Sequence, residues 1–482
     1  MKNFGFTHKT GILLPISSLP SNYGIGSFGK SAYKFIDFLK ETRQTCWQIL
    51  PLNPTSYGDS PYQSPASLAG NPYFIDLDLL CEEKLLTKSE LKENVNKSKK
   101  IDYGWLFNTR FNVLRIAFSR FTKNSDYEDF LNRSSYWLND YAKFMALKEK
   151  NGYKDWLNWN NFDVKNEDLE FWYFIQYIFD KQWNNILNYA HDNDITIIGD
   201  MPIYVALDSV DVWMNKSDFL LDEANYPTMV AGCPPDGFSP DGQLWGNPIY
   251  NWDKMKNDGF SWWIKRFKRN LELYDIVRID HFRGFAGFYA IPYGDTTARY
   301  GAWHQAPGKE LFEKINETFK DAKIIAEDLG FITDDVRELL DFTGYPGMKI
   351  LQFAFYDDDA EFLPRMYKTT NCVVYTGSHD ADCTRTWIKN VEGDAKRRFK
   401  KECLDKTTYK GVDAMIYLAL SSKANLSIIP IQDYLNLTNE EGRMNTPSVA
   451  YGNWTYRLSN RYASVKLKEK ILEITINTNR HK

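Results

Sequence analysis
The chain has 482 residues, 43% hydrophobic and 16% aromatic, with 59 Lys and Arg against 63 Asp and Glu. That length exceeds one small core, and the apolar fraction excludes global disorder. A formal net charge of −4 gives no electrostatic case for nucleic acid or an anionic membrane as partner.

No apolar run approaches the roughly 18 residues of a membrane span. The opening MKNFGFTHKTG has no long apolar stretch, so no signal peptide is expected. The six cysteines (Cys46, Cys81, Cys233, Cys372, Cys383, Cys403) show no C-x-x-C and no metal-like spacing, which suits reduced thiols in a cytoplasmic protein.

Eight short apolar runs follow one another along the chain, at 10–20, 46–54, 195–205, 274–282, 323–330, 347–356, 371–380 and 426–435. Most are continuous in Ile, Leu and Val rather than alternating, the pattern of parallel strands buried on both faces. Helical spacing appears between them at 31–42, 170–193 and 262–273. The predicted fold is α/β: a (β/α)8 TIM barrel formed by 1–56 and 166–482. Two connections are far longer than simple crossovers. Residues 57–165 predict a mostly helical insertion after strand two, with Lys-rich helices at 84–100 and 104–121, flanking the active-site mouth. Residues 206–260 predict a long loop insertion between strands three and four, rich in Gly, Pro and aromatics, able to cover a cleft. The stretch from Gly442 onward, with a terminal helix, finishes the barrel.

Three of the runs end in carboxylates. ELYDIVRIDHFRG carries Arg278 and Asp280, KIIAEDLG carries Glu327 and Asp328, and CVVYTGSHDAD carries His379 and Asp380. Chemistry in such barrels sits at the C-terminal strand ends. Two or three carboxylates beside aromatic loops suit glycosidic bond cleavage, with one nucleophile and one acid/base. Asp280 is the candidate nucleophile. Arg278, two residues earlier and on the same strand face, is expected to keep it ionised. Glu327 is the candidate acid/base, with Asp328 better suited to capping a helix. Asp380 with His379 suits binding of adjacent sugar hydroxyls, and the competing reading has Asp380 or Asp382 capping the next helix. A metal site at Asp380 with His379 or His281 lacks further ligands, so no metal and no cofactor are expected.

The order of motifs resembles the α-amylase clan, and within it the amylomaltase (4-α-glucanotransferase) family, glycoside hydrolase family 77. The resemblance rests on GILLPISSLPSNYGIGSFG (11–29), SYGDSPYQSPASLAGNPYFIDL (56–77), GDMPIYVALDSVDVW (199–213), CPPDGFSPDGQLWGNP (233–248), IVRIDHFRG (276–284), AEDLG (326–330), YPGMKILQFAF (345–355), YTGSHDAD (375–382) and RMNTP (443–447). It implies retaining transfer of a 1,4-α-glucan segment to a sugar 4-hydroxyl. Asp280 is then the nucleophile, Glu327 the acid/base and Asp380 the transition-state stabiliser. The implied substrate contacts are Arg278, Asp200 and His379, with Asp236, Phe238, Gln243 and Trp245 in the loop before strand four and Tyr57, Ser60 and Tyr62 in the loop after strand two. The implied partners are maltodextrins, starch- or glycogen-derived glucans and glucose as acceptor, with the protein a monomer or a dimer. Ser378 and Ala381 depart from the family's usual Thr and Asn, Ser448 from its Gly and Tyr456 from its second Trp. The competing functions are a hydrolase on the same scaffold, a non-catalytic glucan-binding barrel and a metal-dependent lyase.

Overall fold
Each apolar run does form a strand. In the computed structural model, which describes residues 7–235 and 239–481, they are β1 (Lys9–Leu13), β2 (Cys46–Gln48), β3 (Thr196–Met201), β4 (Ile276–Ile279), β5 (Ile324–Ala326), β6 (Gly347–Ile350), β7 (Cys372–Tyr375) and β8 (Leu426–Pro430). All eight pair in parallel and close into one barrel. The seam joins the two ends of the chain, with β1 lying between β2 and β8. Gly11 permits this approach, because a Cβ there would stand 2.4 Å from the Cys46 carbonyl. Arg480 fastens the same seam. Its buried guanidinium donates to the carbonyls of Lys9 (2.7 Å), Ser422 (2.9 Å) and Ala424 (3.0 Å).

Side chains from non-adjacent strands meet inside the barrel. The Tyr375 hydroxyl donates to Gln48 Oε1 at 2.9 Å, and Arg278 Nε lies 3.4 Å from Met348 Sδ. Asp200 and Arg278 are register partners on β3 and β4, which aims both at the same interior layer. Gly199, on the opposite face of β3, lies against the Tyr274 ring, where a Cβ would meet carbon at 2.1 Å.

The outer helices follow apolar spacing. Helix Lys30–Glu41 buries Ala32, Phe35, Ile36, Phe38 and Leu39 as one stripe. Helix Asn166–Asp192 is apolar on more than one side because it lies between two neighbours. It packs on β3 and on helix Lys30–Glu41, and also against helix Ser125–Lys150 of the long insertion. Trp172 and Trp183 are fully buried along it, each contributing on the order of 2–3 kcal/mol of apolar burial.

The insertion is helical at Tyr103–Arg120 and Ser125–Lys150, but the predicted helix at 84–100 is absent. There the chain turns at Lys84 (φ +61°) and forms only the 3-10 turn Lys92–Asn94. Its inward residues, Leu85, Leu86 and Leu91, do not make a helical stripe, and Lys97, Lys99 and Lys100 repel one another. The segment predicted as a loop between β3 and β4 is more regular than its Gly and Pro content suggested. Strands Met229–Cys233 and Gln243–Pro248 join Gly287–Pro292 and Ala302–Gln305 in a four-stranded antiparallel sheet beside the barrel. Half of that sheet comes from beyond β4, so no local pattern within 206–260 announced it.

Candidate active site
The guanidinium of Arg278 organises the C-terminal end of the barrel. Its Nη1 lies 2.6 Å from each oxygen of Asp200 and 3.3 Å from Asp280 Oδ1, while Nη2 lies 3.5 Å from Glu327 Oε2. Three carboxylates from β3, from just beyond β4 and from just beyond β5 thus share one buried cation. Backbone pairing places two of them: the Asp280 N–H donates to the Met201 carbonyl and the Glu327 N–H to the Ile279 carbonyl, both at 3.0 Å.

His281, next to Asp280, takes a left-handed conformation with φ +48°, which costs a non-glycine residue on the order of 1 kcal/mol. The turn aims its backbone N–H at Glu327 Oε2, forming a hydrogen bond to the carboxylate. Its ring packs edge-on against Trp245, with centroids 4.8 Å apart. Burial, with Arg283 nearby, holds the imidazole neutral by lowering its pKa to about 3.

Asp380 is held from both sides. Asn445 Nδ2 donates to its Oδ1 at 2.7 Å, and His379 Nε2 lies 3.2 Å from its Oδ2. The Tyr62 hydroxyl donates to Asp200 Oδ2 at 2.8 Å and lies 3.0 Å from His379 Nε2. Its ring stacks on the His379 imidazole at 5.4 Å, with Trp454 against both. Burial alone would raise the Asp380 carboxyl, but the charge and hydrogen bond of His379 and the Asn445 amide override it and bring the pKa down to about 2. His379 moves oppositely: burial opposes its charge, and Asp380 raises its pKa nonetheless.

The charge state of Asp280 differs from the sequence expectation. Burial first, then the Glu327 carboxylate, push it well above the ordinary range, against the pull of Arg278. Arg278 alone does not offset this, because its Nη1 also contacts both oxygens of Asp200 and its Nη2 faces Glu327. Burial likewise raises Glu327, opposed by Arg278 and by the His281 N–H. The side chains remain 24% and 16% exposed, so water still reaches both. Two like charges so close disfavour ionisation of both carboxylates together.

The helix-capping alternatives fail. Asp328 accepts from the Met348 N–H at 2.6 Å, facing away from Glu327, and burial raises it to about 6. Helix Thr384–Asn390 takes no cap from Asp380 or Asp382, since its first N–H donates to Asp433 Oδ1 at 2.9 Å. Asp382 instead pairs with Arg443 and accepts from Asn439 at 2.8 Å.

Two of the outlying candidates brace neighbours in their own loops. Ser60 Oγ accepts from the Tyr62 N–H at 3.1 Å, and Gln243 Oε1 accepts from Trp245 Nε1 at 3.1 Å. Tyr57 opens the turn Tyr57–Asp59. Asp236, Phe238 and the Tyr57 side chain lie outside the described residues. Sequence reasoning missed two contributors. Asn445 sits in RMNTP, a segment quoted for its resemblance without a role for its amide. Gln63 donates to the Trp245 carbonyl at 3.2 Å and to Asn247 Oδ1 at 3.0 Å, bracing the loop after β2 against the side sheet. Of the departures, Ser448 stands at φ +65°, a backbone conformation glycine would adopt without strain. Ser378 Oγ accepts from the Asp380 N–H at 3.2 Å.

A sequence model of a family described as 4-alpha-glucanotransferase, glycoside hydrolase family 77, matches residues 14–463. A 4-alpha-glucanotransferase of Clostridium butyricum is 46% identical, covering 95% of this chain and 98% of its own. One of Streptococcus pneumoniae is 44% identical, covering 97% and 96%. Among solved structures, an amylomaltase from Streptococcus agalactiae in complex with acarbose superposes with a TM-score of 0.94 at 40% identity, covering 98% of this chain and 99% of that one.

Proposed function
The chain belongs to the 4-alpha-glucanotransferase family, an enzyme family acting on alpha-glucans, and on that premise we propose a mechanism and a role for each site residue. One carboxylate oxygen of Asp280 attacks the anomeric carbon of a bound 1,4-α-glucan. The C1–O4 bond breaks, Glu327 gives its proton to the departing O4, and the reducing-end piece leaves. The glucanosyl unit is then an ester of Asp280. The 4-hydroxyl of glucose or a maltodextrin next attacks the same carbon, Glu327 takes that proton, and the Asp280 ester bond breaks. Two displacements retain the anomeric configuration.

The observation that carries this reading is the single guanidinium touching Asp200, Asp280 and Glu327. It gives Asp280 and Glu327 one counter-charge between them, so that ionising one is easier than ionising both. Asp380, held ionised by His379 and Asn445, is suited to bind sugar hydroxyls and to favour the cationic transition state. Arg278, Asp200, His379 and Tyr62 form the floor under the reacting sugar. Trp245 and Gln243, with Asp236 and Phe238, cover the glucan, and Tyr57 and Ser60 meet it farther out. In this reading 57–165 flanks the mouth as a subdomain and 206–260 covers the cleft, excluding water from the intermediate. Cytoplasmic maltodextrins and starch- or glycogen-derived chains are the donors.

Incubation with maltotriose alone tests the reading. The expected products are glucose and a ladder of longer maltodextrins at a constant number of reducing ends. Rising reducing ends with only shorter products would replace transfer by hydrolysis.

A further inference from the structure
We propose that Asp433 is a positioning residue for glucan transfer, its carboxylate tying together the two ends of the loop that presents His379 and Asp380. The inference rests on the reading of Asp380 as transition-state stabiliser.

The loop leaves the barrel after Tyr375, the last residue of β7, and re-enters regular structure at Thr384, the first residue of helix Thr384–Asn390. Asp433 stands just past β8, in the short helix Ile431–Tyr434. Thr376 Oγ1 donates to Asp433 Oδ2 at 2.6 Å, Thr384 Oγ1 donates to the same oxygen at 2.7 Å, and the Thr384 N–H donates to Oδ1 at 2.9 Å. All three residues are buried. Other groups grip one side of the loop. Gln352 Nε2 donates to the Asp382 carbonyl at 2.8 Å, and Asn439 and Arg443 hold the Asp382 carboxylate. Among the described residues, Asp433 is the one whose side chain bonds both Thr376 and Thr384.

The tip itself is held by Asn445 and by the rings of Tyr62 and Trp454 against His379. Behind it lies a gap of only about 20 Å³, lined by Ser378, His379, Ala381, Gln432, Asp433 and Met444. The buried Gln432 Oε1 there has no donor. Asn445, Tyr62 and Trp454 meet the tip from the cleft, while its two ends are fixed at Thr376 and Thr384 by Asp433. The position of Asp380 therefore depends on the spacing that Asp433 imposes between Thr376 and Thr384. Asp433 touches neither glucan nor the reacting atoms in this account and acts through the loop alone. Burying an acid to accept from neutral donors is costly unless every donor is aimed, which makes the clamp rigid.

Asp433→Asn tests the clamp, because the amide keeps the shape but offers one acceptor where three donors converge. Transfer from maltotriose should fall in kcat by about tenfold to a hundredfold, the scale of a misplacement near 1 Å, with KM little changed and the melting temperature lowered by only a few degrees. Thr384→Val removes one hydroxyl at equal size and should lower kcat in the same direction, while Thr384→Ser restores it. This pair decides the matter if Asp433→Asn fails to fold. Folded Asp433→Asn, or folded Thr384→Val, with kcat within about twofold of the parent would overturn the proposal. Asp380→Asn is assayed in parallel. If it keeps most of the parent kcat, the role given to Asp380 fails first. If it is inactive while the Asp433 and Thr384 variants are not, the clamp alone fails.

Discussion
Replacing Glu327 by Gln separates the two carboxylates that share one counter-charge. A retaining pair stands roughly 5–5.5 Å apart, and two unit charges at that separation repel by about 3 kcal/mol at an effective dielectric of 20. With Asp280 and Glu327 still 24% and 16% exposed, solvent screens part of this repulsion. The parent should therefore show a bell-shaped rate against pH for maltotriose. Its acid limb reflects ionisation of Asp280 beside a neutral Glu327, and its alkaline limb reflects loss of the Glu327 proton. In Glu327→Gln the alkaline limb disappears. The acid limb moves little, because Gln is neutral like the protonated acid it replaces. Turnover of maltotriose should drop by about 10²- to 10⁴-fold, the usual worth of general acid catalysis. α-Glucosyl fluoride, whose leaving group needs no proton, should still release a burst of fluoride equal to the enzyme present. Rapid-mixing measurement of that burst across pH reads Asp280 alone. A burst that still declines at alkaline pH, or no burst at any pH, would refute the assignment of acid and nucleophile.

Asp280→Asn should abolish turnover while leaving glucan affinity largely intact, checked by isothermal titration with maltodextrin. The same variant should melt higher than the parent at pH 7. Its folded pKa is raised, so ionising Asp280 destabilises the fold as pH climbs above the unfolded value of about 3.9, and the gain should vanish below it. Asp380→Asn should do the opposite. With a folded pKa of about 2, Asp380 stabilises above pH 3.9 and loses that contribution as pH falls through 2. The variant should then lose about 1 kcal/mol at pH 7, the shift being discounted for a side chain 41% exposed. Equal signs in the two melting series would contradict the electrostatics drawn here. Trp245→Ala should raise the ratio of hydrolysis to transfer, and an unchanged ratio would remove the side sheet from protection of the intermediate. Arg480→Met leaves several buried carbonyls at the barrel seam unpaired and should cost about 3 kcal/mol or more in urea unfolding.

The strands were readable because a strand buried on both faces needs no alternation: β4, β5 and β7 stand out as short apolar runs that deliver charge at their C-terminal ends. The helix at 30–41 was readable from its single stripe. The segment 84–100 misled because lysines and leucines of good helix propensity are mixed there without a stripe to bury. The side sheet stayed hidden because Met229–Cys233 pairs with Gly287–Pro292 across the intervening β4. The gathering of Arg278, Asp280 and Glu327 was foreseeable from strand ends alone. The contribution of Asn445 was not, since an amide sixty-five residues from Asp380 becomes its partner only through folding. Nor could sequence assign the charge of Asp280, which depends on how many carboxylates one arginine must serve.

That shortage of positive charge bears on the chemistry. Asp200, Asp280 and Glu327 carry three potential negative charges against one guanidinium, and Asp380 raises the proton affinity of His379 beside it. One proton on Glu327 still leaves the floor of the cleft net negative. The transition state of glycosidic cleavage places positive charge on the anomeric carbon and ring oxygen, where a negative floor attracts it. A second cation near Asp280 would hold the nucleophile more firmly ionised, but it would also oppose the developing charge one bond away. The elevated proton affinity of the empty pair, a burden to the free fold, follows from the same charge distribution that favours the cationic sugar.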